Sequence, residues 1–75
     1  MPKAFMMIDV EPGTEYEVQS QVAKVDGVKF VHQVTGEHDM IAFLDSASHH
    51  DFSLIVNHIR KIPGVKDTDT QLVLE

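Results

Sequence analysis

The sequence predicts an α+β sandwich, with two helices laid on one face of a four-stranded antiparallel sheet. Three observations carry this expectation. Two short runs, Ala4 to Val10 and Met40 to Leu44, are apolar nearly throughout, as strands buried on both faces are. Two longer stretches repeat apolar residues at helical spacing: Val18, Val22 and Val25, then Phe52, Ile55, Val56, Ile59 and Ile62. The chain also echoes itself, since Val25-Asp26-Gly27-Val28-Lys29 matches Ile62-Pro63-Gly64-Val65-Lys66. The order is therefore strand–helix–strand, written twice.

Ala4 to Val10 forms the first strand and stops at the breakers Pro12-Gly13. Thr14 is placed to cap the first helix, with Glu17 three residues on, as a capping box requires. That helix is expected to end at Asp26-Gly27, where glycine takes the left-handed conformation. Val28 to Thr35 is the second strand. It alternates, with Val28, Phe30, His32 and Val34 on one face and Lys29, Val31 and Gln33 on the other, the pattern of a sheet edge. Gly36-Glu37-His38 turns the chain back into a third strand, Asp39 to Asp45, through a connection short enough for a hairpin. Ser48 caps the second helix, Arg60 and Lys61 suit its negative end, and Pro63-Gly64 stops it. Val65 to Leu74 is the last strand.

Burial orders the strands. The first and third are apolar on both faces and belong in the centre; the second and fourth alternate and belong at the edges. Right-handed crossovers put both helices on one side, giving a ferredoxin-like βαββαβ sandwich. The other sheet face would then show water either Phe5, Met7, Ile41 and Phe43 or their alternates. On so small a protein such a patch marks an interface, so two sheets are expected to pack face to face in a homodimer, a dimeric α/β barrel.

Composition points the same way. Residues 1–75 make one small domain, which buries only roughly 60% of the surface its unfolded chain exposes. With no cysteine there is no disulfide to staple it, and small scaffolds without staples lean on oligomerisation. A net charge of −6 and six scattered basic residues argue against direct nucleic-acid binding. No apolar run approaches the ~20 residues of a membrane span, and no leader pattern opens the chain, so the expected location is cytoplasmic.

Little in the sequence resembles catalytic machinery. There is no thiol, no Gly-x-Ser-x-Gly elbow and no glycine-rich phosphate loop. Ser46, Ser48 and Ser53 cluster at a helix start, where capping is their ordinary work. His49 and His50 are neighbours and do not share a helix face. His38 and Asp39, with His32 and Glu37 near, match no ligand spacing, so neither metal nor other cofactor is expected. Asp67 and Asp69 share one strand face and read as a solvated edge. Two groups remain. The turn Gly36-Glu37-His38-Asp39 offers backbone N–H groups to a carboxylate, Asp39 to an ammonium, and His38 as a cover; without a ligand it is a plain hairpin turn. Thr68 and Thr70 point the same way and can serve one ligand together, or simply reflect β propensity.

The whole chain resembles the effector-binding RAM domain of the Lrp/AsnC family. The resemblance rests on Val34-Thr35-Gly36-Glu37-His38-Asp39, similar to the family's V-T-G-x-aromatic-D turn, on the isoleucine-rich second helix, on Ile62-Pro63-Gly64-Val65 leading into Thr68-Asp69-Thr70, and on Leu72-Val73-Leu74. It implies face-to-face dimers that assemble to octamer-like rings and bind a small amino acid at the dimer–dimer contact. By position it puts Thr35, Gly36, His38, Asp39, Thr68 and Thr70 at that site. His38 departs from the aromatic residue common at that place, which points to pH sensitivity. Family regulators carry a helix-turn-helix domain ahead of this one. Here Met1 lies just before the first strand, so the expectation is a stand-alone RAM domain without a DNA-binding domain. It would be a non-enzymatic amino-acid sensor that joins a full-length Lrp/AsnC regulator. Two alternatives stand beside it. One is a small dimeric α/β-barrel enzyme of the monooxygenase kind, which needs a polar cavity that the Val, Ile and Phe stripes do not offer. The other is a ligand-free hetero-oligomerisation module.

Overall fold

The computed structural model describes residues 2–75. The elements run β1 (Lys3–Val10), α1 (Glu15–Ala23), β2 (Val28–Gln33), β3 (Met40–Asp45), α2 (His49–Arg60) and β4 (Val65–Leu72). The sheet order is β2-β3-β1-β4, all antiparallel. The two apolar strands are central and the two alternating ones are edges, as their burial patterns predict.

One sheet face carries the core. Ala4, Met6, Ile8 and Val10 of β1 and Met40, Ala42 and Leu44 of β3 are buried there against Val18 and Val22 of α1 and Ile55 and Ile59 of α2. Phe52 and Val56 are half-buried at the margin of this stripe. The internal echo is real in space. Gly27 O, after α1, accepts the N–H of Asp45 at the end of β3; Gly64 O, after α2, accepts that of Glu11 just past β1. Each helix thus returns its chain to the end of the strand that begins the other half.

The opposite face is uncovered. Phe5, Met7, Ile41 and Phe43 are the residues that occupy it, in register Phe5↔Phe43 and Met7↔Ile41. Phe30 of β2 extends the row: ring centroids lie 5.0 Å apart for Phe5–Phe43, 5.7 Å for Phe30–Phe43 and 5.1 Å for Phe30–His32. An aromatic band therefore crosses three strands with no helix over it.

Several local expectations are corrected. Thr14 does not form a capping box with Glu17. Its ψ of 5° is not the extended backbone of a capping residue, so its hydroxyl turns back and donates to Glu11 O at 2.6 Å. Glu15, not Glu17, reaches the preceding turn and accepts the Gly13 N–H at 3.0 Å. Helix α1 stops at Ala23, short of Asp26-Gly27; Lys24 N–H and Val25 N–H bond to carbonyls three residues back, which tightens the last turn. In β2, a bulge between Val28 and Phe30 breaks the strict alternation. Val28 pairs with Leu44 and packs on the core, whereas Phe30 pairs with Phe43 on the open face. Strand β2 ends at Gln33 and β4 at Leu72, although Val73 N–H still bonds Lys3 O.

The Ser48 cap forms as expected: its hydroxyl accepts the Asp51 N–H at 3.1 Å. Ser48→Ala is expected to cost about 1 kcal/mol, read in a thermal melt as a Tm lower by roughly 4–8 °C.

Candidate functional site

The β2–β3 turn is built on β1. Val34 N–H bonds Asp39 O at 3.0 Å and closes the turn, and Asp39 N–H bonds Ile8 O at 3.1 Å. The Asp39 carboxylate then accepts the Val10 N–H through Oδ2 at 2.9 Å. Asp39 is thereby committed, at one oxygen, to holding the turn on the end of β1. His38 Nδ1 lies 3.2 Å from Asp9 Oδ1, with both side chains about a third exposed (31% and 30%). Thr35, Gly36 and Glu37 stand out in solvent. Gly36 has φ +105° and nothing within 4 Å of where a Cβ would sit. The turn therefore needs glycine for its backbone and leaves open space beside it for a partner or ligand.

Thr68 and Thr70 lie on β4 opposite Ile8 and Met6, so their side chains share the helix-covered side, half-buried. They line a groove of about 470 Å³ together with Val56 and Arg60 of α2 and Val65, Lys66 and Asp67. Asp67 and Asp69 fall on the open face, opposite Asp9 and Met7. Asp67 Oδ1 accepts the Thr68 N–H at 3.0 Å.

The two sets of sequence-predicted residues are thus each assembled, but not with one another. Ile8 of β1 is bonded to Asp39 on one side and paired with Thr68 on the other. Two strand spacings, roughly 10 Å, separate them, and no hydrogen bond or ion pair among the described residues joins the turn to the threonines. Sequence reasoning missed three polar neighbours. Asp9 sits inside an apolar strand, and only the fold shows that it meets His38. Arg60 and Lys66 flank the threonines; Arg60 reads in sequence as a helix-end cation, and its spacing from Val56, one turn earlier, is the signal that places it beside β4.

A larger groove, of about 650 Å³, lies at the other end of the sheet among Gly27, Asp45, Ser46, Leu54, Ile55 and His58, with further charged residues at its rim. It holds none of the predicted site residues. Asp45 Oδ1 there is buried without a partner, while buried Ser46 is satisfied by Pro2 O and Ser48 O. Among the described residues no group of three or more His, Asp or Glu converges as metal ligands do, and no helix is long and apolar enough to cross a membrane.

The family model for the Lrp/AsnC ligand binding domain matches residues 3–75. The chain belongs to the Lrp/AsnC ligand-binding domain family. Among its curated relatives is the HTH-type transcriptional regulator FL11 of Pyrococcus abyssi, 32% identical over 72 residues that cover 96% of this chain and 48% of the regulator. This Lrp/AsnC domain therefore spans about half the length of the curated relatives it matches. A solved structure, the hypothetical protein PHS023 of Pyrococcus horikoshii, superposes with a TM-score of 0.91 at 28% identity, covering 100% of this chain and 92% of that one. The transcriptional regulator NMB0573 of Neisseria meningitidis, solved as an L-Met complex, superposes with a TM-score of 0.85 at 23% identity over 99% of this chain and 50% of its own. That likeness shows the shared ferredoxin-like fold. The curated relative from Pyrococcus abyssi is named as a transcriptional regulator.

Proposed function

We propose that this chain is an amino-acid-sensing assembly domain of transcriptional regulation. It pairs face to face through the open side of its sheet, and the dimers associate further. A small amino acid binds where dimers meet, between the turn Thr35, Gly36, His38 and Asp39 of one copy and Thr68 and Thr70 of another. It acts together with a DNA-binding Lrp/AsnC regulator, as its resemblance to regulator halves suggests. The observation that carries this reading is the separation of two part-built polar half-sites on either side of β1, each with open space beside it. The L-Met complex of the Neisseria meningitidis regulator supports an amino acid as the kind of ligand. A ligand shared between copies stabilises their contact.

Calorimetry against the twenty amino acids tests the reading. Heat with one or a few, accompanied by a change in assembly mass, is the expected result; no heat with any leaves only an assembly module. One observation favours that second reading, the commitment of Asp39 to Val10. Asp39→Asn separates the two roles. The amide oxygen still accepts the Val10 N–H, so stability is expected to stay within about 0.5 kcal/mol of the parent. If the other carboxylate oxygen holds the ligand's ammonium, affinity falls about ten-fold or more, because a charged hydrogen bond is lost. Unchanged affinity would limit Asp39 to holding the turn.

A further inference from the structure

We infer that Arg60 is the anchor for the ligand's carboxylate, with Lys66 and the hydroxyls of Thr68 and Thr70 completing the same groove. This inference rests on the amino-acid reading above and assigns one end of the ligand to one place.

The groove between α2 and β4 is lined chiefly by donors. Arg60 and Lys66 line it with exposed cationic side chains, and Thr68 and Thr70 line it as half-buried residues whose hydroxyls take no part in any described side-chain hydrogen bond. The one carboxylate at its edge, Asp67, is already an acceptor for the Thr68 N–H. Among the described residues no Lys or Arg side chain is in a salt bridge. What sets Arg60 and Lys66 apart is that both line one groove with two hydroxyl residues. Two cations beside hydroxyls, with no carboxylate bonded to either, are what an anion needs.

Arg60 also suits the negative end of α2, as does His58. That role accounts for a cation in the last turn, but not for the convergence of Lys66 and two threonines on the same space. Between the two cations, arginine is the better anchor. Its planar fork meets both oxygens of a carboxylate, whereas an ammonium acts as a point charge. The assignment also relieves the turn at Gly36 of supplying the carboxylate's donors. It leaves the turn facing the other end of the ligand, where Asp39 keeps one carboxylate oxygen beyond the one bonded to Val10.

The test is calorimetry on the parent chain and on Arg60→Gln, Arg60→Lys and Lys66→Gln. The probes are the free amino acid that binds the parent most tightly and its carboxamide, which keeps the side chain and ammonium but lacks the negative charge. Circular dichroism and assembly mass are read on every variant; Arg60 is exposed, so both are expected to stay as in the parent. The parent is expected to prefer the free acid at least ten-fold. In Arg60→Gln that preference disappears, while affinity for the carboxamide changes less than two-fold. Arg60→Lys restores part of the preference, and Lys66→Gln weakens it less than Arg60→Gln does. The inference is overturned if Arg60→Gln binds the free acid as the parent does, if acid and amide weaken equally, or if the variant loses its assembly along with the preference. In each of those cases the parent still binds an amino acid and the proposed function stands. A parent that binds none of the twenty overturns both.

Discussion

A Phe43→Asp chain is expected to run at its monomer mass of 8.4 kDa where the parent runs at twice that mass or a multiple of it. Phe43 sits in the middle of the open sheet face, with Phe30 stacked on one side and Phe5 tilted against the other. Phe5 and Phe30 are 37% and 39% exposed in the single chain, which is a large apolar area for a domain of this size to leave in water. In an isolated chain the new carboxylate keeps its hydration, so the fold loses part of an aromatic contact, about 0.5–1.5 kcal/mol per pair, and survives. Between two packed sheets the same carboxylate is desolvated beside aromatic rings, and the cost rises to several kcal/mol. The variant separates association from folding for that reason. Light scattering at micromolar concentration reads the mass, and circular dichroism confirms the fold. A folded Phe43→Asp chain with the parent's mass would move the contact away from this face.

How far the sequence reveals such features depends on how local their causes are. The central strands were legible because both of their faces are apolar at nearly every position of Ala4–Val10 and Met40–Leu44, one face for the core and one for the open side. The Ser48 cap was legible because its acceptor and donor are three residues apart. Thr14 carried the same signal and misled, because the turn Glu11-Pro12-Gly13 sets its backbone before the helix begins. Period-two counting assigned Val28 and Phe30 to one face, and no residue type marks the bulge that separates them. The site divides in the same way. The turn glycine and the paired threonines were visible as spacings. The hydrogen bond from Val10 N–H to Asp39, the approach of His38 to Asp9 and the convergence of Arg60 with Thr68 and Thr70 were not. The first two join residues far apart in sequence that strand register brings together, and Arg60 meets the threonines only through the packing of α2 beside β4.

The internal echo leads to the largest expected effect on stability. Gly27→Ala is expected to destabilise the chain by about 2–4 kcal/mol, a large share of what a domain of this size holds. Two causes act together. Gly27 has φ +99°, a left-handed backbone that costs an L-residue about 1–2 kcal/mol. A Cβ there would also lie 2.3 Å from Ile55 Cδ1 and 3.2 Å from Ile55 Cγ1. Ile55 belongs to the core cluster and is 8% exposed, so although its tip borders the groove beside Gly27, moving it disturbs core packing at about 1–3 kcal/mol. The two causes separate in a double-mutant cycle. Ile55→Val removes Cδ1 at a cost of roughly 0.5–1.5 kcal/mol and opens space where the new methyl would go. In that background Gly27→Ala should cost only the backbone term, so the two substitutions together should be less harmful than their sum by about 1 kcal/mol or more. Urea unfolding of the four chains, at one fixed protein concentration because assembly adds to stability, gives the coupling directly. Strict additivity would mean that the backbone alone demands glycine and that α2 does not press on the loop after α1. Coupling would show that the packing of one strand–helix–strand half sets the residue at the helix end of the other.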